Sequence, residues 1–174
     1  DVHIWTKKTI AQDTILTGEK PFLIFDTLTI DKGATLNIKE NVQMYFHGGA
    51  GVNLLGTIDA RGTIEKPVVF RGDRTAKLFY YLPYDRVPGQ WNGITVDSLS
   101  FNNHFENFHL RNSTNGILFK QSNLSAKKAT FINSIIQNTI LDGISAENCD
   151  IDAYNSLFAN AGGSVVKVIG GSYS

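Results

Sequence analysis

Phe105-Glu-Asn-Phe-His-Leu-Arg-Asn112, Phe131-Ile-Asn-Ser-Ile-Ile-Gln-Asn138 and Ala153-Tyr-Asn-Ser-Leu-Phe-Ala-Asn160 lie over one another without gaps. Asn107, Asn133 and Asn155 fall in one column, and Asn112, Asn138 and Asn160 in another. Leu110, Ile136 and Phe158 form an apolar column two places before the second asparagine. The spacing is 26 residues (131 minus 105) and then 22 (153 minus 131). A glycine-containing turn follows each copy: Asn115-Gly116-Ile117, Asp142-Gly143-Ile144 and Gly162-Gly163-Ser164-Val165. A repeat of this length, built of short strands and turns, is one coil of a solenoid, with insertions taken up in the turns.

Strand alternation gives the columns a physical meaning. Residues two apart on a strand share a face, so an inward Leu110 places Asn112 inward at the strand's end. A buried amide without partners is costly. Stacked asparagines meet that need, each amide giving to one neighbouring coil and accepting from the other. Asn112, Asn138 and Asn160 are therefore expected to form a ladder; the alternative is that asparagine is merely common in loops.

Outside the repeat, helical spacing is nearly absent. Phe22-Leu-Ile-Phe25, Leu28-Thr-Ile30, Thr35-Leu-Asn-Ile38, Val42-Gln-Met-Tyr-Phe46, Val52-Asn-Leu-Leu55 and Val68-Val-Phe70 are short, β-rich and bounded by turns. Pro67 stands at a strand start, where no ladder donor is required. The expected fold is all-β, a right-handed single-stranded parallel β-helix occupying residues 1–174, with a long loop insertion at about 73–90.

Composition narrows the function classes. The 174 residues carry a formal net charge of +0, and only 18% are charged. Nothing in that balance favours nucleic acid or an anionic membrane surface, and the pairs Lys7-Lys8 and Lys127-Lys128 are too short to suggest otherwise. No apolar run reaches the roughly 20 residues of a membrane span. Cys149, the one cysteine, cannot form an internal disulfide and reads as a packed core thiol.

Several motifs carry a family resemblance. Gly56-Thr-Ile-Asp-Ala-Arg-Gly62, Glu65-Lys-Pro-Val-Val-Phe-Arg-Gly72, Pro83-Tyr-Asp-Arg-Val-Pro-Gly-Gln-Trp-Asn-Gly-Ile94 and Gly170-Gly-Ser-Tyr173 resemble a group of β-helix surface lipoproteins of gut anaerobes, in the pectate-lyase-like superfamily. The resemblance spans nearly all of the chain and implies an extracytoplasmic place, at an outer-membrane surface or secreted. It carries no established chemistry. It also implies an immunoglobulin-like region before the helix and further coils after Tyr173. The chain thus reads as a section of a longer helix, whose open end would expose apolar core and a strand edge and invite association.

Three sets of residues are candidates for chemistry. The insertion holds Phe79, Tyr80, Tyr81, Tyr84, Asp85 and Arg86, with Trp91 just after it. Long loops on rigid scaffolds often carry function, and aromatic faces beside polar groups suit sugar rings. Against this stands a simpler role for the same aromatics, as a plug packed onto the helix. The acidic set Asp142, Glu147, Asp150 and Asp152 invites comparison with the calcium-holding carboxylates of pectate lyases, yet no arginine or lysine lies near in sequence, Lys127 and Lys128 preceding the set by a full coil. Asn138-Thr-Ile-Leu-Asp-Gly-Ile144 departs from the Asn-Thr-Asp motif of polygalacturonases, and their other motifs are missing; Asp142 reads as a turn residue. Of the histidines, His3 and His47 are isolated, while His104 shares a segment with Glu106 and His109 without a third ligand for zinc. No catalytic residue, metal or cofactor is assigned. The expected function is a non-catalytic surface module that binds glycan or protein or acts structurally; the alternative is a lyase or hydrolase of uronic-acid-rich glycans.

Overall fold

The computed structural model describes residues 1–174. Its strands form three parallel sheets of seven strands each. Every coil gives one strand to each sheet: the first coil gives His3–Trp5, Lys8–Ile10 and Thr14–Leu16, the fourth Val68–Gly72, Ile94–Val96 and Asn103–Glu106. The chain is a parallel β-helix. No helix is long and apolar enough to cross a membrane.

Burial follows the sequence alternation strand by strand. In Thr27–Ile30, Thr35–Ile38 and Gln43–Phe46 every second residue is buried and the others are partly exposed. In the first sheet Phe22, Met44, Phe70, Leu110, Ile136 and Phe158 stack in register along the axis. These columns close into one core of 34 buried residues. Aromatic rings continue the stacking inside, with Phe105 on Phe131 at 4.9 Å between centroids. Cys149 is fully buried in this core, and burial pushes its thiol pKa up.

The corners are made by asparagine. All nine non-glycine residues with positive φ are Asn, among them Asn107, Asn133 and Asn155, and Asn112, Asn138 and Asn160. The left-handed conformation turns the chain from one sheet to the next, and asparagine tolerates it better than other residues with a Cβ. In one column Asn138 Nδ2 donates to Asn112 Oδ1 and Asn160 Nδ2 to Asn138 Oδ1, each at 3.3 Å. In the other, Asn155 Nδ2 donates to Asn133 Oδ1 at 2.7 Å. The alternation argument fails at this corner, because a residue with φ near +67° has left the strand geometry. Asn112 is inside because the backbone turns there. We expect Asn138→Ala to lower the unfolding free energy by about 1–3 kcal/mol, combining a broken amide chain with left-handed strain. Asn138→Gly removes the strain and should cost less. Equal losses in denaturant titrations would show that the backbone conformation contributes nothing.

The glycine turns form a further column. A Cβ on Gly93 would collide with Asn115 O, and one on Gly116 with Gly143 O. The amides that follow, on Ile94 and Ile117, donate to Gly116 O and Gly143 O at 3.0 and 2.9 Å. Neighbouring coils approach too closely here for any side chain. At the C-terminal end of the stack Val166, Val168 and Ile169 are exposed beside a hollow of about 220 Å³ lined by Phe131, Ile144, Ile151 and Phe158.

Candidate functional site

The insertion leaves the first sheet after Val68–Gly72 and returns to the second at Ile94–Val96. Within it Lys77–Phe79 pairs antiparallel with Leu82–Pro83, and a short 3-10 turn follows at Tyr84–Arg86. The hairpin lies off the helix: Tyr80 is 87% exposed, Tyr81 66% and Phe79 54%. Phe79 stacks on Tyr81 at 5.6 Å, and Tyr80 meets Tyr81 edge-on.

The foot of the insertion is bolted to the coil beside it. Within the insertion the Gln90 side-chain Nε2 donates to Tyr84 O and, at 2.8 Å, to Val87 O. Backbone amides of Gly89 and Gln90 donate to Ser113 O and Asn112 O. The Arg74 guanidinium lies over the Tyr84 ring at 5.4 Å.

Trp91 corrects the sequence expectation of a ligand contact. It is 1% exposed, stacked on Phe46 at 4.2 Å, with its Nε1 donating to Arg111 O at 2.9 Å. It is a core residue. The plug and the surface patch are thus both present, divided between Trp91 and the hairpin tip.

Beside the tip's foot a cleft of about 400 Å³ is lined by Asp85, Arg86, Arg111, Gln137, Asn138 and Asn160, with no apolar side chain. Asp85 Oδ1 lies 3.0 Å from both Arg71 Nη2 and Arg111 Nε. Burial draws the Arg111 pKa below its usual value; Asp85 opposes this and Arg71 adds to it. The neighbouring His109 is also lowered, first by burial and then by Arg111. The cleft joins four expected residues, Asp85 and Arg86 of the insertion and Asn138 and Asn160 of the ladder, to Arg111 and Gln137, which were not expected. Their signal was available: outward positions on repeat strands that face the insertion.

The acidic set is engaged elsewhere. Lys127 Nζ lies 2.7 Å from Asp150 Oδ1 and 2.8 Å from Asp152 Oδ2. A lysine one coil earlier in sequence is adjacent in the stack, which corrects the expectation that no basic group is near. Asp142 Oδ1 accepts the Ser164 backbone amide at 2.8 Å, a turn role. His104 Nε2 lies 3.2 Å from Glu106 on the same strand face, and Arg61 reaches that carboxylate at 3.5 Å. No three His, Cys, Asp or Glu side chains converge in a metal-holding group.

No family model matches the chain. No solved structure matches it either. Among curated proteins, 68 residues are 37% identical to a part of Protein bark beetle of Drosophila melanogaster. The matched stretch covers 38% of this chain and 2% of that protein's length, so it bears on a small section of a far larger molecule.

Proposed function

We propose that this chain is a non-catalytic β-helix module that binds glycan through its insertion, and that it works outside the cytoplasm, the place implied by the resemblance to surface β-helix lipoproteins. The observation that carries the reading is the hairpin tip. Three aromatic rings stand exposed on a short hairpin whose foot is fixed to the solenoid by the backbone amides of Gly89 and Gln90, which donate to Ser113 O and Asn112 O. Exposed rings forgo most of the stabilisation that burial would give, and contiguous exposed aromatics mark interaction surfaces. Two of these rings are stacked on each other, leaving faces that suit the C–H face of a sugar, while the polar cleft at the foot supplies hydroxyl partners.

The test is a glycan array followed by titration with the best ligand. The double variant Tyr80→Ala, Tyr81→Ala should bind about ten-fold more weakly or worse, as for aromatic anchors elsewhere. Its circular dichroism and melting temperature should be unchanged, since both rings are exposed. Undiminished binding would remove the tip from the site. Release of new reducing ends or unsaturated products from any polymer would replace the binding module with an enzyme.

A further inference from the structure

Five side chains hold a buried polar atom without a hydrogen-bond partner in the protein: Asp85 Oδ1, Gln90 Oε1, Arg111 Nε, Asn112 Nδ2 and Ser113 Oγ. All lie in two short segments, residues 85–90 and 111–113, which meet at the foot of the insertion. Asn112 and Ser113 are fully buried, and Gln90 is 8% exposed. Orphaned polar atoms of this kind are scarce in folded proteins, and a cluster of five is a local feature to be explained. Arg111 Nε and Asp85 Oδ1 lie only 3.0 Å apart yet out of line, so they attract as charges without forming a directed bond.

The charge at this place is unbalanced. One carboxylate, Asp85, faces two guanidiniums, Arg71 and Arg111, and Arg86 stands exposed at the mouth of the same cleft. The remaining lining is amide: Gln137, Asn138 and Asn160. Guanidinium forks match oxyanions with two parallel donors, and amides serve the surrounding hydroxyls. A cation is disfavoured by the arginines, and an apolar ligand finds no apolar wall.

We propose that this cleft binds an oxyanion carried on a sugar, a carboxylate or a sulfate, so that the module selects acidic over neutral glycans. This rests on the glycan-binding reading above. The tip supplies ring stacking without regard to charge, and the cleft supplies the choice.

The experiment compares a hexuronate oligomer, its carboxyl-reduced neutral counterpart and a sulfated hexose oligomer by isothermal titration on the full chain. The hexuronate or the sulfated oligomer should bind about ten-fold or more tightly than the neutral one, and which of them does so identifies the oxyanion. Raising salt should erode that preference. Arg86→Ala should abolish it, and Arg86→Lys should restore part of it; Arg86 is exposed at the cleft mouth, so folding is preserved. Arg111→Gln, more buried, is read only after its melting curve matches the parent. Binding of all three oligomers alike, or an acidic preference that survives Arg86→Ala, would overturn the proposal and leave glycan binding standing. Failure of all three to bind, with no glycan of any kind retained on the array, would overturn both.

Discussion

Replacing Trp91 by alanine should cost about 3–5 kcal/mol of unfolding free energy, the usual range for truncating a buried Trp. The ring fills the core where the insertion rejoins the helix. It stacks on Phe46 at 4.2 Å, and Phe46 in turn packs on Phe70, so the void would open among large rings that cannot collapse into it. The indole hydrogen bond to Arg111 O is lost as well, leaving that carbonyl without this donor. Trp91 also makes an isolated parallel bridge to Ser113, two residues beyond Arg111 of the cleft wall. The variant should therefore lose stability and, at temperatures where it remains folded, weaken binding only through the cleft. Trp91→Phe keeps most of the stacking and should lose less. Equilibrium urea unfolding measures both. A loss under about 1 kcal/mol in Trp91→Ala, with binding abolished, would mean that the ring serves the ligand and not the core.

The contrast between Trp91 and Tyr80 shows what a sequence conveys about such a fold. Coil register was legible because it repeats: Leu110, Ile136 and Phe158 pair as their alignment requires. One repeat checks another, so a chance pattern is filtered out. The insertion occurs once and has no second copy to check it against. The insertion's aromatics and Trp91 after it split into exposed rings and a buried one according to where the chain re-enters the stack, and only Trp91's place at a strand start announces the difference. The asparagine columns were visible, but their cause was not. Alternation explains residues within a strand, whereas the corner depends on a left-handed φ that asparagine permits and the sequence does not announce. Lys127 stands one full coil before Asp150 and Asp152, a distance that separates residues in an ordinary chain but makes them neighbours in a solenoid. The cleft was only half visible, because it is formed where unique sequence meets repeated sequence.

The adjoining Lys128 carries the other large effect. It precedes the strand Ala129–Ile132 and is fully buried among turn residues. Its Nζ donates to Asp97 O at 2.6 Å, Ser98 O at 3.0 Å and Ser122 Oγ at 3.4 Å, and lies 4.6 Å from the centre of the Phe101 ring. Three acceptors and a ring face replace water around the ammonium, but no carboxylate neutralises it: the Asp97 carboxylate reaches Lys120 instead, at 3.5 Å. Lys128→Ala should cost about 3–5 kcal/mol, since it leaves a cavity and strips the turn carbonyls of their donor. Lys128→Met keeps the chain volume and removes the buried charge, so its loss at neutral pH should be smaller, about 1–3 kcal/mol from the orphaned acceptors. The pH dependence separates charge from packing. Burial lowers the Lys128 pKa from its ordinary 10.5, with Cys149 and Asp97 opposing. Between the lowered folded value and 10.5 the unfolded chain binds more protons than the folded one, so this lysine makes stability rise with pH across that window. Cys149 is raised above its ordinary 9.0 and acts in the opposite sense from that pH upward, so both proteins are compared in a Cys149→Ala background. Lys127, raised above 10.5 first by its bond to Asp150 and then by that to Asp152, gives up its contribution only at higher pH still. The expected result is a stability difference between the lysine and methionine forms that grows in favour of lysine as pH climbs toward 10.5. A difference that stays flat across that range would show that the Lys128 ammonium is as well solvated in the fold as in water, and that its place is held by packing alone.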